Sequence, residues 1–182
     1  MTYTALIDET HLITTLFSLV NVPSAVWIDE SGRIVRINEG TYAKTHQFGS
    51  LTVGTDEYVP AVKDWAVNGA RSRYVWSPEE VSKHVRVMTP ETALADPTFK
   101  LGVHFYQQGD DARANRYWEE SQRLDPDNWN FHRQDWSFSA TERTEKFRAK
   151  RDNLGDKPYY APLELQAAPG STSDRPQEPG RR

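Results

Sequence analysis

The residues of this chain that could do chemistry are few and scattered. None of its 182 residues is cysteine, which removes disulfides, thiolate nucleophiles and sulfur-bound zinc from consideration. The five histidines, His11, His46, His84, His104 and His132, share no His-Glu-x-x-His helix, so no metal and no cofactor is expected. No glycine-rich phosphate loop follows a strand, and no Gly-x-Ser-x-Gly elbow occurs. Carboxylate pairs are common, but none stands in an apolar context that would raise a pKa for acid–base work. Two groups remain. Arg133-Gln134 lies between Trp129 and Trp136, where a guanidinium and an amide can grip a carboxylate or stack on a planar ligand. Tryptophans at that spacing more often pack a helix that the arginine covers, and packing is the expectation. His104, Asn115 and Arg116 are polar candidates for contact with a partner; the alternative for each is a solvated helix face.

The elements that must position these groups fall into two parts. Tyr3 to Ile7 is a short apolar run ending at Asp8, and it predicts a buried strand. Thr10 can cap a helix with Leu12, Ile13, Leu16, Phe17 and Leu19 at helical spacing. Asn21-Val22-Pro23 ends it, because the residue before a proline is driven to extended geometry. Residues 24–28 predict a strand, Asp29 to Gly32 a turn, and residues 33–37 an alternating, half-exposed strand. Residues 38–55 are rich in Gly, Thr and Ser and predict a loop. Residues 56–68 predict an amphipathic helix, with Pro60 in its first turn and Gly69 at its end.

Helical signals then dominate. Ser77-Pro78-Glu79-Glu80 is a strong helix start, running to about Val87, and Thr89-Pro90-Glu91 restarts the pattern. Helices are expected over roughly 97–108 and 110–124 with a break at Gly109, then from Asp125-Pro126-Asp127 to about Phe138. Residues 141–153 alternate in charge and predict a surface helix. Lys157 to Pro162 is an aromatic-proline strap. From Pro169 onward no apolar stripe remains, and a disordered tail is expected.

The run NVPSAVWIDESGRIVR, with the elements around it, resembles the later half of a thioredoxin-fold redoxin of the TlpA/ResA type. The resemblance covers about the first 70 residues. It implies a cis-proline at Pro23 with Val22 as its partner, at the head of a strand–turn–strand–helix unit. It also implies that the backbone before the proline faces an extended substrate peptide. The family's Cys-x-x-Cys unit lies earlier in its chain and has no counterpart here, so no catalytic residue carries over. A sheet lacking its first strands exposes an edge. The expectation is therefore that Met1 is a late or misassigned start of a longer protein. A weaker idea is that a separate chain supplies Cys-x-x-Cys.

The stretch FKLGVHFYQQGDDARANRYWEESQRLDP resembles one tetratricopeptide repeat. Leu101-Gly102 and Phe105 fit its first helix and Gly109 its turn. Ala114, Trp118 and Ser121 fit the second helix, and Pro126 the stop. Small residues let the helices approach and aromatics fill the gap. One repeat cannot bury its own face, so helices 77–94 and 127–152 must supply neighbours. The resemblance implies either a structural cover or a peptide-binding hairpin sensitive to change at Phe105 or Trp118.

The expected architecture is α/β followed by α. It comprises a partial thioredoxin-like domain at 1–70 (strand, helix, cis-Pro, hairpin, helix), tetratricopeptide-like hairpins at 77–153, an aromatic strap at 154–168 and a tail at 169–182. The expected function is membership of a thiol–disulfide oxidoreductase family, redox-inactive in this chain alone. The alternative is a non-catalytic adaptor that binds a protein or peptide through the helices. A net charge of −4 and the interleaved basic residues of 143–151 give no basis for nucleic acid. No apolar run is long enough for a membrane helix. The N-terminal residues carry no basic leader, and the cytoplasm is the expected compartment.

Overall fold

One carboxylate organises the first hairpin. Asp29 accepts hydrogen bonds from the Ser31 amide and hydroxyl, from the Arg33 amide, and from the Arg33 guanidinium at 2.9 Å. These donors, Ser31 foremost, hold its carboxyl well below the usual carboxylate range. Gly32 completes the turn at φ +80°, a region open to glycine because it lacks a Cβ. In the computed structural model, which describes residues 3–138 and 142–165, the turn joins β1 (Ser24–Ile28) to β2 (Ile34–Glu39). The strands are antiparallel, with a register shift at Trp27/Ile28. β1 has no second strand neighbour among the described residues.

Trp27 sits at the centre of the front core. Its ring stacks on Trp65 at 4.8 Å, and its indole N–H donates to the Tyr58 hydroxyl at 2.9 Å. Both partners come from α2 (Tyr58–Asn68), which lays buried Tyr58 and Ala61 on the sheet. Val35, Tyr74 and Leu165 close the cluster.

Four expectations for this part are corrected. Residues 3–7 form no strand and are exposed: they do not pair with the open edge of β1, so the apolar run stays solvated. α1 is only Leu12–Leu16, and its apolar Leu12, Ile13 and Leu16 face solvent; it makes no extensive contact with either sheet. Residues 38–55 contain a second hairpin, β3 (His46–Phe48) with β4 (Leu51–Val53), turning at Gly49. The half-exposed pattern expected for 33–37 also fails, since Val35 and Arg36 are both buried.

The helical part begins at its capped starts. α3 (Pro78–His84) is capped by Ser77, and α4 (Pro90–Gln107) by a reciprocal Thr89–Thr92 box. The two helices expected around Thr89 and residue 97 are therefore one, with Pro97 inside it. Its first turns are set by the box, and the missing N–H interrupts only one rung. Gly109 at φ +75° ends α4, and Asp110 caps α5 (Asp111–Leu124). The two helices meet at Gly102, where a Cβ would collide with the Trp118 ring. Phe99, Ala114 and Trp118 form the core between them. α6 (Trp129–Ser137) adds Phe131 to that core and contributes Trp129 and Trp136 to a third cluster with Tyr159. α7 (Arg143–Asp152) lies outside, its Phe147 against that cluster. The expected start at Thr141 and the expected tail fall outside the described residues.

The architecture is thus mixed α/β, with two small antiparallel sheets and seven α-helices among the described residues. No helix among them is long and apolar enough to cross a membrane.

Candidate functional site

A groove of about 380 Å³ opens between the segment around α1 and the helices α4 and α6. Helical spacing on α4 puts Asp96, Phe99, Lys100, Val103, His104 and Gln107 along one wall. Phe131, Asn130 and Gln134 of α6 form the floor and far side, and Thr14 and Thr15 of α1 face them. The interior is apolar at Phe99, Val103 and Phe131, and the rim is polar. Lys100 pairs with Asp96 at 2.8 Å on that rim.

The α1 side is tethered by only a few bonds. Asn130 donates its side-chain amide to the Leu19 carbonyl at 2.7 Å and its backbone N–H to the Val20 carbonyl at 3.2 Å. Thr15 reaches Asp96 at 3.4 Å. One end of the groove is closed by Arg86, whose guanidinium forks onto both oxygens of buried Asp125. Asn128 adds a third bond to that carboxylate.

Of the polar candidates on the hairpin, His104 lines this groove, whereas Asn115 and Arg116 are exposed on α5 and do not. Phe105 and Trp118 are packing residues. Phe105 stacks on Tyr117 at 5.3 Å, and Trp118 lies parallel to Phe138 at 4.7 Å. Sequence reasoning missed Lys100 and Gln107 as wall residues, whereas Gln134, singled out together with Arg133, does line the groove. The i, i+3, i+4 and i+7 spacing from Asp96 to Gln107 was the available signal, but it pointed equally well to solvent.

The Val22–Pro23 bond is cis, and the loop around it is closed from within. The Val22 carbonyl accepts from the Tyr160 hydroxyl at 2.8 Å and from Arg133 at 3.0 Å. The Val22 N–H is taken by the Asn21 side chain at 3.0 Å. Asn21, fully buried, also donates to the Tyr159 carbonyl at 3.0 Å. An extended peptide would find both polar groups of Val22 already satisfied. Arg133 therefore serves the loop: besides Val22 it touches the Tyr159 hydroxyl. Trp129 and Trp136 are buried packing residues, as the spacing predicts.

The strap is fastened by a buried arginine. Arg36, 1% exposed, lies between Trp27 and Trp76, its guanidinium carbon 4.1 Å from the Trp76 ring centre. It donates to Asn38, to the Tyr74 carbonyl, and to the Leu163 and Glu164 carbonyls of the strap. No carboxylate among the described residues bonds it, and burial lowers its pKa from the usual arginine value. On the other face of Trp76 the His84 ring stacks at 4.0 Å. His84 Nε2 then points at Glu80 of α3, 3.1 Å away, and at Glu164 of the strap, 3.4 Å away.

Compared with known proteins, the chain matches no family model, no curated protein and no solved structure.

Proposed function

We propose that the chain is a non-catalytic binding module that takes a short peptide segment, anchored by one or two apolar side chains, in the groove between α1, α4 and α6. The groove itself carries this reading: it has an apolar floor, a rim of paired and unpaired polar groups, and a wall formed by α4, the first helix of a tetratricopeptide-like hairpin. Its volume is at the small end of the range for ligand sites, which suits side-chain anchors rather than a folded surface. The close approach at Gly102, with Ala114 and Ser121 fully buried, supports the tetratricopeptide-like assignment. Absence of cysteine leaves this chain nothing with which to exchange disulfides.

A second reading concerns ancestry. The order helix, Val-Pro loop, β-hairpin and closing helix over residues 12–68 supports descent of the front unit from a thioredoxin-like redoxin. The internal closure of Val22 favours the binding module over a working substrate face at that loop.

The test is selection of random peptides displayed on phage against the purified chain. Lys100→Glu and Gln107→Ala on the groove wall should weaken the selected peptides about tenfold or more. Asn115→Ala and Arg116→Ala, outside the groove, should leave them unchanged. Peptides insensitive to the first pair would overturn the proposal.

A further inference from the structure

The Glu80–His84–Glu164 cluster lies apart from the groove and joins two distant stretches of chain. Glu80 and His84 are i and i+4 on α3, so their side chains share one face. Glu164 comes from the strap, and one donor atom from each residue lies within 4.8 Å of the others. The ring nitrogen Nε2 of His84 faces Glu80 Oε1 at 3.1 Å and Glu164 Oε2 at 3.4 Å. A single N–H points in one direction and cannot serve both oxygens well. A cation at that place serves both. Tetrahedral ligands about 2.1 Å from zinc stand about 3.4 Å apart, close to the two separations from His84 Nε2.

The donors are held in position by their surroundings. The His84 ring is fixed by its stack on Trp76. Lys83 takes the other oxygen of Glu80, Oε2, at 2.7 Å and leaves Oε1 towards the cluster. Glu164 sits at φ +49°, a left-handed backbone that a residue with a Cβ adopts at a cost. Arg36, from beneath Trp76, holds the carbonyls of Leu163 and Glu164 and so secures that backbone. Fixed rings, oriented carboxylates and anchored backbone are the supporting shell that metal ligands need.

We infer that Glu80, His84 and Glu164 bind a divalent first-row metal ion of the zinc class through one imidazole nitrogen and two carboxylate oxygens, clipping the strap to α3. The donor set, one nitrogen and two oxygens, suits zinc and its neighbours rather than soft copper(I). A fourth position faces solvent, as Glu164 is half-exposed, and takes water. The scattered histidines of the sequence pointed away from any metal; the third ligand lies 80 residues from the second in the chain.

The experiment is titration of the purified full chain with Zn²⁺ by calorimetry at near-neutral pH, repeated with Co²⁺ for its visible absorption. One ion per chain should bind in the micromolar range or tighter. Glu164→Gln and His84→Ala should each weaken it at least tenfold, while His46→Gln, outside the cluster, leaves it unchanged. Zn²⁺ should also slow hydrogen exchange in residues 158–165. Because His84→Ala also removes a stacking partner of Trp76, Glu164→Gln is the decisive variant. Absence of binding to the native chain, or binding unaltered by Glu164→Gln, would overturn the inference.

Discussion

The hydroxyl of Tyr160 donates to the carbonyl of Val22 across 138 residues of sequence, at 2.8 Å. That bond closes the proline loop with the molecule's own strap, and Arg133 adds a second donor to the same oxygen. The front unit and the helical part are therefore joined at the place where the redoxin resemblance expects a peptide.

Tyr160→Phe should remove one donor and cost about 1 kcal/mol, and Arg133→Ala somewhat more, since a charged donor is lost. Both variants should fold, with lower urea midpoints and faster hydrogen exchange at residues 20–24. Because the two donors share one acceptor, their double variant should depart from additivity. Strictly additive losses would show that Val22 does not couple them.

Arg36→Met should destabilise the protein by about 3 kcal/mol, as the carbonyls of Tyr74, Leu163 and Glu164 lose a buried donor. Limited proteolysis should then cut first within 154–165. A variant as stable as the parent, with an uncut strap, would mean the arginine is replaceable by packing alone.

Gly102→Ala tests the helical hairpin. Its new methyl meets the Trp118 ring and the Ala114 carbonyl, an overpacking worth about 1–3 kcal/mol. Thermal denaturation should show a lower midpoint, and an unchanged midpoint would contradict the close approach of α4 and α5.

His132 predicts a pH dependence. Burial foremost, then Lys150, pushes its pKa down to about 4 from an ordinary 6.5, against the opposing hydrogen bond to the Pro126 carbonyl. The folded state thus resists a proton that the unfolded chain accepts. Stability from this residue is full above about pH 6.5 and is lost as pH falls towards about 4. The loss between about pH 7 and pH 5 should approach ~2 kcal/mol. His132→Gln should flatten that part of the urea-midpoint profile, and an unchanged profile would count against the buried neutral imidazole.

Local chemistry made part of this structure readable in advance. The Asp29–Gly32 turn, the Ser77 and Thr89 starts and the Gly109 break each depend on residues within about four positions of one another. What stayed hidden depends on distant partners. Residues 3–7 have strand composition, yet they pair with neither sheet. Arg36 sits at a nominally polar position of an alternating strand, and it is buried by distant groups, the Trp76 ring, the Tyr74 carbonyl and the strap more than 120 residues on. His104 reaches the groove while Asn115 and Arg116 do not, because α4 faces α1 and the exposed side of α5 faces solvent. Glu164 joins His84 only through the returning strap.

The most direct test of the binding-module account is the affinity of phage-selected peptides for the native chain and for Lys100→Glu, measured by fluorescence anisotropy with folding checked by circular dichroism. The account predicts saturable binding to the native chain and a loss of about tenfold or more in a variant that remains folded. Failure to select any saturable peptide, or equal affinity for the folded variant, would contradict it.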